Sequence, residues 1–198
     1  MRLGNAEDAV GAHVTILGFR VVAVTQVAYE VEGWGLGGLV VVDERVTWSE
    51  LPWPRHLDPS QTPTHPGLGP VVSRKPSSRS RGFVAEVVQL LQDYFEGERV
   101  PLEDVPVDLD YETSFFDRCA VALRAVPRGE AVSYGELAAL AGAPGAARAA
   151  GSFCARNRLG LFVPCHRVVG AGDLGSYGSY GLDYKRRLLA LEGYAGAL

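Results

Sequence analysis

The chain has 198 residues, 47% hydrophobic and 21% charged, which suits one large or two small globular domains with a real core. No run approaches about eighteen apolar residues, which excludes a helical membrane span, and Met1–Asp8 carries acids where a signal peptide needs an apolar core, so a cytoplasmic protein is expected. The net charge of −4 hides an asymmetry: residues 1–110 hold 9 Lys+Arg against 16 Asp+Glu, residues 111–198 hold 10 against 7, and only the second half suits a polyanion.

The first third reads as β structure, through His13–Gly18, Val21–Thr25 and Leu39–Asp43. Trp34-Gly35-Leu36-Gly37-Gly38 reads as a glycine-rich turn between the last two. It lacks the Lys-Ser/Thr ending and following helix of a phosphate loop, so a hairpin is the better reading. From about 51 to 82 the chain is rich in Pro, Ser, Arg and Thr without a hydrophobic period, and is expected to be a long surface loop. Arg74, Lys75, Arg79 and Arg81 form a basic run inside it, for which a solvated loop is favoured over a DNA arm. A helix is expected over about 83–95, through Phe83, Val87, Leu90, Leu91 and Tyr94.

The second half opens with another amphipathic stretch, in which Phe116, Cys119, Leu123 and Val126 share a face and Cys119 is most simply a core residue. Ser133-Tyr134-Gly135-Glu136 has capping-box spacing, and Gly142 ends the short helix that it starts. After Ala143-Pro144-Gly145 a second helix runs from Ala146 to about Arg156, completing a helix-turn-helix. That helix is small-sided, and Arg148 stands out as a long cation among alanines and a glycine. Tight helix packing explains such a helix as well as close approach to a groove does, from these residues alone.

Pro164-Cys165-His166-Arg167-Val168 sets a cysteine beside a histidine. A thiolate is the nucleophile and a thiol nearly inert, so a base must remove its proton. Adjacent residues do not normally face each other, so a relay water or a sharp turn would have to close the gap. Taken alone, a buried structural cysteine is the simpler reading. The cysteines Cys119, Cys154 and Cys165 are odd in number and lack paired spacing, which argues against a disulfide framework. His13, His56 and His65 lie in a region without cysteine, so a cysteine–histidine zinc site there is excluded. No metal and no cofactor is expected.

The ordered set PCHRV, SYGELA (133–138), AARAAG (146–151), Asn157 and the segment 182–193 resembles the O6-alkylguanine-DNA alkyltransferases, also called methylated-DNA–protein-cysteine methyltransferases. The resemblance is dense over about 84–193 and thin before it. It implies an α+β fold: a small β-rich N-terminal domain (1–110) and a mainly helical C-terminal domain (111–198) with a helix-turn-helix. The implied activity is irreversible, single-turnover transfer of an alkyl group from O6 of a flipped guanine in double-stranded DNA to Cys165, by a monomer.

In that resemblance His166 and Glu192 match the proton relay, and Asn157 braces the turn bearing the cysteine. Tyr134 matches a residue at the nucleotide's phosphate and extruded base, and Arg148 the finger that fills the vacated stack. The loop 177–181 would wall the pocket, with Ser179 bonding the base oxygen and Tyr177, Ser133 and Val168 also expected at the substrate or DNA. The chain departs from the pattern at Arg158 and Gly160, where relatives carry proline, and at Tyr180, where a glycine is usual. Two other readings compete. One is a non-reactive lesion sensor of the same fold, against which the retained Cys165 weighs. The other is a cysteine hydrolase, which needs its own oxyanion hole and leaves the helix-turn-helix unexplained.

Overall fold

The computed structural model describes residues 10–17, 20–53 and 77–196. The chain divides into two compact units, Met1–Asp108 and Leu109–Leu198. Among the described residues no helix is long and apolar enough to cross a membrane.

The first unit is an antiparallel meander, β1 (Val10–Leu17), β2 (Arg20–Val31), β3 (Gly35–Val42) and β4 (Arg45–Trp53), in sequential order. Helix α1 (Ser78–Phe95) follows. Leu39, Val40 and Val41 are buried in succession, so both faces of β3 are covered here. From α1, Val84, Val87, Leu91, Tyr94 and Phe95 are buried, and Trp34 packs against Phe95 with ring centroids 4.8 Å apart.

The hairpin expected around Trp34–Gly38 exists, but its turn is earlier. The chain reverses at residues 32–34, and Gly35, Gly37 and Gly38 are strand residues. The cause is Tyr29, paired directly with Gly37: its ring lies where a β-carbon would stand, 2.5 Å from the ring carbon, so only glycine fits. Asp43, expected at a strand end, instead turns the β3–β4 hairpin with Glu44, at φ 47° and 60°.

The expected loop 51–82 needs correcting at both ends. Leu51–Trp53 finish β4, and α1 begins at Ser78, five residues before the expected start. Ser77 caps the helix by accepting from the Ser80 backbone N–H at 3.0 Å. Its first turn holds serines and arginines instead of apolar residues, so hydrophobic period could not reveal it. Arg79 and Arg81 are helical, and Arg79 pairs with Glu44 at 3.0 Å. Arg74 and Lys75 lie outside the described residues.

The second unit is mainly helical: α2 (Ser114–Arg124), α3 (Tyr134–Leu140), α4 (Ala147–Ala155) and α5 (Gly181–Leu191). A short parallel pair, β5 (Val132–Ser133) and β6 (Val168–Val169), joins the approach to α3 with the end of the PCHRV motif. The expected amphipathic face is present: Phe116, Cys119 and Leu123 are buried, with Cys119 fully so. The Ser133–Glu136 capping box forms, and Gly142 takes φ +73° just after α3. Phe153, Leu137, Leu159, Phe162, Leu188 and Leu189 complete the core. Each contributes about 1.5–3 kcal/mol by leaving water.

Candidate active site

After α4 the chain makes a tight passage to the cysteine. Leu161 is buried at φ +66°, a left-handed conformation that an ordinary side chain rarely adopts. Pro164, at φ −77° and ψ 69°, forms an inverse γ-turn in which the Cys165 N–H donates to the Val163 carbonyl at 2.8 Å. Cys165–Arg167 then form one 3-10 turn.

Asn157 holds that passage in place. Its Nδ2 donates to the Val163 carbonyl at 2.7 Å and to Cys165 Sγ at 3.2 Å. Its Oδ1 accepts from the Leu159 N–H at 3.1 Å and the Tyr111 hydroxyl at 2.9 Å. Both ends of the amide are thus committed. Burial pushes the Cys165 thiol up, against the Asn157 hydrogen bond and the Lys185 charge that pull it down. Cys165 rests as a neutral thiol.

His166 is fully buried, and its Nε2 lies 3.0 Å from Glu192 Oε1, just past the last turn of α5. The carboxylate also receives Arg167, from Nε at 2.9 Å and Nη2 at 2.7 Å, while Arg167 Nη1 donates to the Val126 carbonyl at 2.6 Å. Burial pushes the Glu192 carboxyl up, but His166 and the Arg167 guanidinium outweigh it and hold it well below the usual carboxylate range. Burial likewise holds the His166 imidazole below its ordinary value, although Glu192 opposes this. The arrangement is a neutral histidine beside an ionised carboxylate whose counter-ion is Arg167. With Nε2 facing the carboxylate, Nε2 carries the proton and Nδ1 is the basic atom. Nδ1 is buried without a hydrogen-bond partner among the described residues.

Lys185 is fully buried on α5 and donates through Nζ to the carbonyls of Val168 and Leu174, each at 2.5 Å, and of Ser176 at 3.4 Å. It ties β6 to the segment leading into the loop 177–181. Sequence reading gave Lys185, Arg167 and Tyr111 no role. The signal for Lys185 was available: with Tyr184, Leu188 and Leu189 it occupies the buried stripe of α5, where a charge must have partners.

The remaining expected residues divide. Tyr134 opens α3, lies beside Gly151 of α4, and accepts from the Ser176 N–H at 3.5 Å. Gly175, at φ +73°, leaves room for it, since a β-carbon there would be 2.8 Å from the tyrosine hydroxyl. Arg148 is exposed in the first turn of α4, with no side-chain partner among the described residues. Ser133 is occupied in capping, its Oγ accepting from the Glu136 N–H at 3.1 Å. Ser179 is exposed, whereas Tyr177 is buried in a cluster with Tyr180 and Tyr184, at centroid distances of 5.8 and 6.2 Å. Val168, expected at the substrate or DNA, is wholly buried in the core, and its carbonyl accepts from Lys185. Among the described residues no group of His, Cys, Asp and Glu is placed to hold a metal ion.

Residues 114–194 match the family model described as 6-O-methylguanine DNA methyltransferase, DNA binding domain. The methylated-DNA–protein-cysteine methyltransferase of Methanosarcina acetivorans is 44% identical over 113 residues, 56% of this chain and 70% of that protein. The chain belongs to the methylated-DNA–protein-cysteine methyltransferase family. The Mycobacterium leprae member is 49% identical over 113 residues, 56% of this chain, and the match spans 66% of that protein's length. A crystal structure of Mycobacterium tuberculosis OGT in complex with DNA superposes with a TM-score of 0.64 at 36% identity, covering 84% of this chain and 91% of that one. The α+β fold described above, with its helical second unit, is the fold of that structure.

Proposed function

We propose that this chain repairs DNA directly, taking the alkyl group of an O6-alkylguanine onto Cys165 once and irreversibly. The observation that supports it most is the buried Glu192–His166 pair behind a cysteine whose sulfur is held by Asn157. The thiol proton passes to His166 Nδ1 through a water, and Glu192 stabilises the imidazolium that forms. Sγ attacks the alkyl carbon, the carbon–O6 bond breaks, and its electron pair goes to the guanine. Tyr134 donates a hydrogen bond to the departing base, which gains negative charge as the alkyl leaves and takes up a proton from solvent as the imidazolium releases its own.

A paired guanine does not present its O6 substituent to a thiol set in the protein, so the nucleotide is flipped, at a cost of a few kcal/mol. Arg148, exposed on a helix of small residues, fills the vacated stack. The loop 177–181 walls the pocket, with Ser179 bonding the base oxygen. Residues 111–198 form the DNA-binding and acceptor domain, residues 1–110 support it, and the protein acts as a monomer. A nucleophilic thiol needs a reducing compartment, and we place the protein in the cytoplasm.

Intact-mass spectrometry after incubation with DNA carrying O6-methylguanine tests this. One methyl should appear, on the peptide containing Cys165, and Cys165→Ser should abolish it. A methyl on Cys119 or Cys154, or many turnovers per protein, would overturn it.

A further inference from the structure

We propose that Tyr111, clasped by Arg158, is a positioning residue for Cys165, acting through Asn157; the link to alkyl transfer rests on the function proposed above. Tyr111 lies just before α2, buried, with its backbone N–H donating to Asp117 Oδ1 at 2.8 Å and its ring edge-on to Phe153 at 5.4 Å. The Arg158 guanidinium sits over that ring, 4.4 Å from its centroid, and donates through Nη2 to the Asp110 carbonyl at 2.9 Å. Arg158 therefore fixes the ring from its face and the preceding backbone at once.

The fixed ring delivers its hydroxyl to Asn157 Oδ1. An amide can be turned end for end, and its partners decide which end faces the sulfur. The Val163 carbonyl only accepts, and the Leu159 N–H only donates, so together with Tyr111 they orient Nδ2 toward Sγ. Donation into Oδ1 also polarises the amide and strengthens what Nδ2 donates in turn. A chain of contacts thus runs Arg158, Tyr111, Asn157, Cys165. Tyr111 touches no reacting atom.

Asn157 is hydrogen-bonded to the Cys165 sulfur, and the ionisable groups that act on it are Lys185 from α5 and Cys154 from α4. Tyr111 reaches the sulfur through Asn157, which makes the route testable. Alkylation of Cys165 by iodoacetamide, followed across pH by peptide mass spectrometry, reads the thiolate without DNA. Tyr111→Phe should slow modification about threefold to tenfold near neutral pH and move the profile to higher pH, with the melting temperature recorded alongside. Arg158→Ala should give a smaller change in the same direction. In an Asn157→Ala background Tyr111→Phe should change nothing further.

An equal effect of Tyr111→Phe with and without Asn157 would overturn the proposal, as would no effect of either variant. Transfer from methylated DNA is run in parallel. If the iodoacetamide pattern holds while the wild-type protein accepts no methyl, the function proposed above fails and the positioning role stands. If methyl is accepted and Tyr111→Phe leaves the profile unmoved, the reverse follows.

Discussion

Arg167 grips Glu192 with two nearly parallel hydrogen bonds, 2.9 Å from Nε to Oε2 and 2.7 Å from Nη2 to Oε1. A carboxylate with no exposed side-chain surface needs a counter-ion, and a neighbouring histidine would ordinarily become one by taking a proton. Burial keeps His166 neutral and able to act as a base, and the Arg167 charge that satisfies Glu192 acts in the same direction.

Arg167→Met should therefore do more harm than a surface change. It strands the Glu192 charge beside His166, and breaking such a buried pair costs about 3–5 kcal/mol. Chemical denaturation should show the loss, and transfer at neutral pH should slow because His166 then acquires the proton itself. Unchanged stability would place the pair's energy elsewhere.

Stability should fall with acid in two windows. The folded protein holds His166 below its ordinary value of 6.5, so below that pH the unfolded chain binds a proton that the folded one refuses. Glu192 is also held low, and its contribution is present above the ordinary carboxyl value of 4.5 and lost as pH falls through its depressed folded value. Denaturation midpoints measured across pH should show both slopes. His166→Gln should flatten the first window and narrow the second, which Arg167 then maintains alone.

Lys185→Met should loosen the segment before the pocket. It leaves the Val168 and Leu174 carbonyls buried without their donor, and each such group costs about 1–3 kcal/mol. Hydrogen exchange should rise over residues 170–176 while α2 stays protected. Uniform protection across both would contradict the role assigned to Nζ.

Arg148→Ala separates flipping from chemistry. Transfer from duplex DNA should slow about tenfold or more, the scale of a flipping cost of a few kcal/mol that is no longer offset. Transfer from the free O6-alkylguanine base should be nearly untouched. Equal losses on both substrates would show that Arg148 acts on the transfer step and not on flipping.

The parts of this protein that could be read from its sequence are those where one residue type does one recognisable job. Ser133 and Glu136 announce a helix start by spacing alone, and Cys119 follows from the helical period. Where identity and period disagree, the reading fails. The start of α1 is written in Ser77, Arg79 and Arg81, which look like loop, and the β3 glycines look like a turn until Tyr29 is seen lying across Gly37. Tyr111 and Asn157 stand 46 positions apart, and no local pattern links them before the chain folds. Arg158 was visible only as a departure from Asn-Pro, and its use emerges once the Tyr111 ring is found beneath it.

The pairing of Val132 with Val168 and of Ser133 with Val169 makes a piece of sheet two rungs long. On one side it leads straight into α3 of the helix-turn-helix, and on the other it ends the turn that carries Cys165. It works as a caliper. The span from α3 to the sulfur is set by two rungs of backbone. For the transfer proposed above, a span fixed in this way cannot follow damage at varying depths, so the damaged base would have to make the journey.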